Sequence, residues 1–213
     1  MSDPSLVQDG QPAKRGPGRP RHADTEERAY RAVLELFGHK GFDGMSLDAV
    51  AQSAGVGKSS IYLRWKNKRE LLLEAIKDME SHHVYPDDEG LGIRDYLISY
   101  GLGRAQLYLG EYGAAMVSLM SASYVHPAEF QDLLAESISR GVLQAVHRIA
   151  RAVDDGELPA GVAATDLLSA LEGAIFFRLF IYRQDPSTEP LSAANLDATI
   201  TRFVDVLLTG LAN

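Results

Sequence analysis

The chain has 213 residues, 46% of them hydrophobic, and no cysteine. That is enough to bury a core in one domain or two small ones, and it excludes disulfides and cysteine-ligated zinc or iron–sulfur centres. The formal net charge of −8 speaks against a polyanionic partner until its distribution is read: residues 1–77 carry 13 Lys and Arg against 10 Asp and Glu, and residues 78–213 carry 8 against 19. Such asymmetry points to a nucleic-acid-facing end and an acidic remainder.

Residues 1–23 hold Pro4, Pro12, Pro17 and Pro20, few apolar residues and no periodicity, which predicts a disordered basic arm. No apolar h-region of a signal peptide is present in it. The first helix is predicted from Asp24, where Asp24 and Glu27 have capping-box spacing. Its apolar stripe is Ala29, Ala32, Val33, Leu36 and Phe37, and Gly38 and Gly41 punctuate its end. Ser46 is placed to cap a second helix, Leu47 to Ala54, whose Leu47, Val50, Ala51 and Ala54 repeat at helical spacing. Gly55-Val56-Gly57 is a tight turn. A third helix follows from Lys58 to about Trp65, and Asn67 with Glu70 opens a fourth that ends near His83.

The rest reads as helical too, near 92–109, 112–124, 127–153, 162–182 and 192–210. No segment alternates with period 2, so the predicted class is all-α with about nine helices. The domains expected are the arm at 1–23, a helical DNA-binding unit at 24–70, and a larger helical unit at 71–213. The longest apolar run, Gly173 to Tyr182, has ten residues with Arg178 inside it. A bilayer span needs about 20, so a soluble, cytoplasmic chain with no membrane contact is expected.

The stretch AGVGKSS (Ala54 to Ser60) has the glycine, lysine and serine of a phosphate-binding loop. A P-loop, however, needs its first glycine at residue 52, and a strand before it. Residue 52 is Gln52, and a helix precedes. The six histidines show no H-x-x-x-H spacing, and no G-x-S-x-G elbow occurs. Neither a metal site, a cofactor nor a catalytic centre is therefore expected.

Two short helices joined by a glycine turn make a helix-turn-helix, whose second helix enters the major groove N-terminus first. This assigns Lys58, Ser59, Ser60 and Tyr62 to DNA contact, and Ser46, Gly57 and Lys68 to phosphates. Ile61 and Trp65, four apart, are expected to face the core. From about Arg28 to Ile76, the residues Leu36-Phe37, Gly41-Phe42, Ser46, Val50-Ala51, Ala54-Gly55-Val56, Ile61-Tyr62, Arg64-Trp65, Lys68 and Leu71 resemble the DNA-binding signature of the tetracycline-repressor (TetR) family of bacterial transcriptional regulators. Gly57 departs from it, standing where the family usually has a capping serine. Gly18-Arg19-Pro20 resembles an AT-hook core. Arg19 and Arg21 thus become candidates for the minor groove, beside the alternative of a charged tail with only non-specific attraction.

The resemblance implies a C-terminal module that dimerises and binds a small effector. The expected homodimer uses the helices near 162–182 and 192–210, and its two heads would bind a palindromic double-stranded operator. An apolar effector would suit Tyr100, Met116, Met120, Tyr124, Phe130, His147, Phe177 and Arg178. Glu172, Asp205 or another acid of the protein is a candidate partner for Arg178. The second reading is a helical small-molecule-binding protein without specific DNA binding.

Overall fold

The computed structural model describes residues 21–83, 86, 90–139, 141–181 and 191–211. Ten helices and no strand occur among them: α1 (Arg21–Lys40), α2 (Leu47–Ala54), α3 (Lys58–Arg64), α4 (Lys68–His82), α5 (Ile93–Leu109), α6 (Gly113–Val125), α7 (Pro127–Ser139), α8 (Gly141–Asp154), α9 (Ala164–Phe180) and α10 (Leu196–Leu211). The all-helical expectation holds. No helix of the described residues is long and apolar enough to cross a membrane.

Three boundaries differ from the sequence reading. Arg21 to Ala23 belong to α1 rather than to an arm. The predicted helix over 127–153 is two helices. Its first half packs on α4 and α6 and its second on α9, so the chain must change direction, and Gly141 weakens the helix at that point. α10 starts at Leu196 because residues 192–195 form a turn closed by Ser192 N–H donating to Asn195 Oδ1 at 2.8 Å.

α1 is the central strut of the N-terminal half. Ala29, Ala32, Val33, Leu34 and Phe37 are buried, because α2, α4 and α6 all pack against it. Its contact with α6 is close. A Cβ on Gly38 would stand 2.8 Å from the Ala115 backbone nitrogen and 2.9 Å from Ala114 Cβ. Ser118 Oγ donates to the Gly38 carbonyl at 3.2 Å. Phe130 of α7 completes the junction, stacked on Phe37 at 6.5 Å and edge-on to Phe42 at 5.0 Å.

In the C-terminal half, α5 is enclosed by α6, α8, α9 and α10. Tyr96, Leu97, Tyr100, Ala105 and Tyr108 are all buried there. A polar knot sits inside. Glu172 Oε1 accepts from Tyr100 OH at 2.6 Å and from Arg104 Nε at 2.7 Å, and Arg104 Nη2 donates to Tyr108 OH at 3.0 Å. Every bond in it ties α5 to α9 or to itself.

His83, at the end of α4, lies near this knot. Burial, with Arg104 adding, pushes its imidazole below the ordinary value of 6.5. The unfolded chain then binds a proton that the folded chain resists, so stability is present above about pH 6.5 and is lost as pH falls through the folded value. The melting temperature is expected to drop between pH 7 and pH 5, and to drop less in His83→Gln. Parallel curves for the two proteins would remove His83 as the cause.

Candidate nucleic-acid interface

The α2–α3 unit is built by its caps. Ser46 Oγ accepts from Ala49 N–H at 3.1 Å, which satisfies one of the open donors of α2. The chain leaves α2 through Gly55 at φ 61°, a left-handed conformation that favours glycine. Arg28 of α1 holds this turn, donating from Nη2 to the Gly55 carbonyl at 2.9 Å. Gly57 caps α3 without a side-chain bond, as expected where the usual serine is missing.

α3 then sorts its residues by face. Ile61 is fully buried and Trp65, its C-cap, nearly so. The Trp65 indole donates from Nε1 to Glu74 Oε2 at 2.6 Å and lies 6.0 Å from the Tyr30 ring. Lys58, Ser59, Tyr62, Leu63 and Lys66 are exposed, and Ser60 is half-buried. Positions 58, 59, 62 and 63 share one helical face, and Lys66 follows just past the end of α3. That face presents an ammonium, hydroxyls and an exposed leucine to solvent. It offers hydrogen bonds to base edges and phosphates, and an apolar contact of the kind a thymine methyl accepts.

Two residues here escaped the sequence reading. Leu63 is 85% exposed, and nothing in a helical apolar pattern separates such a residue from the core until the face is known. Asp48, in the first turn of α2, is the other. Its carboxylate accepts from Lys58 Nζ at 2.6 Å and from Tyr62 OH at 3.1 Å. Those two bonds hold the Asp48 carboxyl below the usual carboxylate range. Asp48 thus orients two of the exposed donors while placing a negative charge on the same face. Asp48→Asn is expected to strengthen binding to arbitrary duplex and to steepen its salt dependence by about one ion, since one repulsive charge is removed and Lys58 is released to phosphate. Fluorescence anisotropy across a salt series measures both; an unchanged slope would show that Lys58 does not reach the backbone.

The basic run from Lys58 to Arg69 is divided among different tasks. Arg64 donates to the Ser60 carbonyl at 3.0 Å and pairs with Glu26 of α1 at 3.6 Å. Arg69 reaches α7, donating to both carboxylate oxygens of Asp132 at 2.6 and 2.7 Å and to the Glu129 carbonyl at 3.1 Å. Lys68 Nζ donates to the carbonyls of Phe42 and Met45 at 2.7 and 3.3 Å and sits 4.2 Å from the centre of the Phe42 ring. Lys68 therefore braces the α1–α2 loop while leaving its charge at the N-terminus of α4. Arg19 lies outside the described residues. Arg21 opens α1.

The eight residues singled out for an effector are dispersed. Tyr100, Met116 and Phe130 are core, Met120 is half-buried, and Tyr124, His147 and Phe177 are exposed. Phe130 belongs to the α1–α7 junction, and Tyr100 to the polar knot. Of the acids suggested for Arg178, Asp205 accepts from Arg94 at 2.7 and 3.0 Å, and Glu172 Oε1 accepts from Tyr100 and Arg104. Among the described residues no group of three or more His, Asp or Glu side chains could hold a metal ion.

The comparisons agree with this geometry. A family model described as bacterial regulatory proteins, tetR family, matches residues 30–75, and one described as tetracyclin repressor-like, C-terminal domain, matches residues 93–202. The DNA-binding transcriptional repressor TetR of Mycobacteroides abscessus is 28% identical over 195 residues, covering 87% of this chain and 93% of that protein. The HTH-type transcriptional regulator YdeS of Bacillus subtilis is 24% identical over 164 residues, covering 77% and 82%. Among solved structures, FadR of Bacillus subtilis in complex with stearoyl-CoA superposes with a TM-score of 0.67 at 17% identity, over 86% of this chain and 98% of that one. GusR of Salmonella enterica gives 0.64 at 22% identity, over 89% and 96%. With a head and a body that both match, the chain belongs to the TetR family of bacterial transcriptional regulators.

Proposed function

We propose that this regulator is a homodimeric repressor that leaves a palindromic operator when a small effector binds its C-terminal half. The observation that carries the reading is the outer face of α3, where Lys58, Ser59, Tyr62 and Leu63 stand exposed on a helix whose other side is core. In this reading Lys58, Ser59, Ser60, Tyr62 and Leu63 meet base edges and nearby phosphates. Ser46, Gly57 and Lys68 approach the backbone on either side, and Arg19 and Arg21 follow the minor groove.

A second copy supports itself on α9 and α10. Phe177 and Ile181 are each 51% exposed and Val206 is 66% exposed. Ala170 and Gly173 extend the α9 stripe, also exposed. Apolar side chains gathered on one face favour an isologous contact between identical surfaces. Two heads held about 34–36 Å apart would then meet half-sites one helical turn apart. Phe177→Glu is expected to yield monomers in sedimentation velocity and to abolish tight operator binding; a dimer of unchanged strength would move the interface elsewhere.

For the effector, residue chemistry supports the reading: the polar knot at Tyr100, Arg104 and Glu172 adjoins the Phe176 and Phe180 rings beside Tyr108, the mix of apolar and oriented polar groups that ligand sites use. FadR of Bacillus subtilis, of the same fold, was solved with stearoyl-CoA, which supports a ligand with a long apolar part. Binding would shift the population toward a dimer whose heads no longer fit the half-site spacing. The chain acts by binding rather than by catalysis.

The deciding experiment is selection of genomic fragments by the purified full-length protein, followed by titration of the enriched duplexes at two salt concentrations. Recovery of a palindrome bound at nanomolar strength is the expected result. Only sequence-blind binding, lost steeply with salt, would leave the helical small-molecule binder as the better reading.

A further inference from the structure

A cleft of about 550 Å³ lies where the N-terminal part of α1 faces the C-terminal part of α4, closed at one end by the α5–α6 turn. None of the knot's residues and none of the exposed residues of α3 line it, although His83 at its rim lies near Arg104. Its floor is apolar, with Leu34 and Met79 buried and Leu107 half-buried. Tyr30 and Tyr112 supply aromatic walls, and the carboxylates of Glu26, Glu27 and Asp78 line the mouth from both helices. Arg31 is the one Lys or Arg in the lining; it is bonded to Tyr112 of the cleft wall, pairs with Glu111 at 3.1 Å and feels Glu27, so one guanidinium stands against the three carboxylates of the mouth. The interior therefore carries an excess of negative charge.

Tyr30 registers that field. Its hydroxyl is held well above the ordinary phenol range, first by burial, then by Glu74, with Glu26 and Asp78 adding. Carboxylates on α1 and on α4 thus act on one ring at the cleft wall. Like charges facing each other across an apolar floor are relieved by a cation between them, and aromatic faces favour the same sign.

We infer that this cleft binds a small organic cation, an ammonium group carried on an aromatic or alkyl body. The body lies on Leu34, Met79 and Leu107, and the ammonium donates to Glu26, Glu27 and Asp78. The volume suits a ligand of modest size, as binding cavities run from about 300 to 1,000 Å³. The site is also joined to the reading head. Tyr30 OH donates to Glu74 Oε2 at 3.2 Å, the same oxygen that accepts the Trp65 indole. Glu26 is the partner of Arg64, the last residue of α3. A cation that takes Glu26 competes with Arg64 for it.

Trp65 is the single tryptophan of the chain and lies 6.0 Å from the Tyr30 ring, so its fluorescence reports on the cleft through that wall. The test titrates the full-length protein with 2-phenylethylamine, its neutral counterpart 2-phenylethanol, and 3-phenylpropanoate. It is done at pH 8, above the ordinary imidazole range. Calorimetry provides an independent readout. The amine is expected to bind saturably and at least about tenfold more tightly than the alcohol, a difference of about 1.4 kcal/mol. The anion is expected not to bind. Glu27→Gln combined with Asp78→Asn should weaken the amine about tenfold while the melting curve keeps its cooperative shape. Absence of saturable amine binding, equal binding of amine and alcohol, or an amine affinity untouched by the double substitution would each overturn the inference. None of these outcomes bears on whether an operator is recovered by selection.

Discussion

Trp65→Ala is expected to lower the melting temperature by about 10 °C and to weaken operator binding at least tenfold. The ring is 2% exposed and closes the core of the head beside Ile61 and Tyr30. Truncating a buried aromatic of this size costs about 3–5 kcal/mol, from lost transfer energy and from the cavity left behind. In a chain of this length each kcal/mol corresponds to about 2–4 °C. The indole also donates to Glu74, which binds Tyr30 as well, so the truncation releases α1 from the end of α3. Trp65→Phe separates the two contributions. It fills most of the volume and lacks the donor, and should cost about 1 kcal/mol more than packing alone. Thermal melts and anisotropy on one duplex measure all three proteins, and a Trp65→Ala protein that melts like the parent would show that the head repacks.

The second large effect belongs to Glu172. Removing one partner of a buried ion pair leaves the other charge poorly compensated, at a cost of about 3–5 kcal/mol. Arg104 is 3% exposed at its side chain and Glu172 is 22% exposed, so some solvent reaches the acid and the lower end applies. Glu172→Gln is thus expected to cost about 3 kcal/mol, measured by urea denaturation. Tyr100 is left with a weaker acceptor. Its hydroxyl is held above the ordinary range chiefly by burial and next by Glu172, so it remains a donor through any pH at which the fold persists. Replacing both charges, Arg104→Met with Glu172→Leu, should restore most of the loss, because neither buried charge then remains. Additive losses in the double variant would mean that the two residues act separately.

Much of the head was legible in the sequence because local chemistry dictates it. The Ser46 and Asn67 caps and the Gly55 turn occur where the spacing placed them. The buried pair Ile61 and Trp65 follows from a period of 3.6. What the sequence could not show was how charges are shared across distant elements. Arg69 follows Lys66 and Lys68 in a basic stretch, yet its partner Asp132 lies 63 residues away on α7. Asp48 looked like an ordinary first-turn acid and is the shared acceptor of Lys58 and Tyr62. The C-terminal half was less legible for another reason. Its helices are apolar on several sides, so composition cannot tell a core face from an exposed one, and Phe177 and Phe130 read alike until the fold separates them. The split between α7 and α8 was missed because both halves are amphipathic, and only their different neighbours require the turn.

The tight seating of Gly38 on Ala114 and Ala115 has a bearing on how heads and bodies can be recombined. A head grafted from a relative onto this body would bring its own residue at position 38, and anything larger than glycine would meet backbone on α6. The graft would fold, yet α1 would be levered outward and its reading helix re-aimed. Small residues at 38, 114 and 115 are therefore a compatibility code for the joint: a chimera that keeps all three inherits the angle between the halves, and one that changes a single member must be matched on the other side.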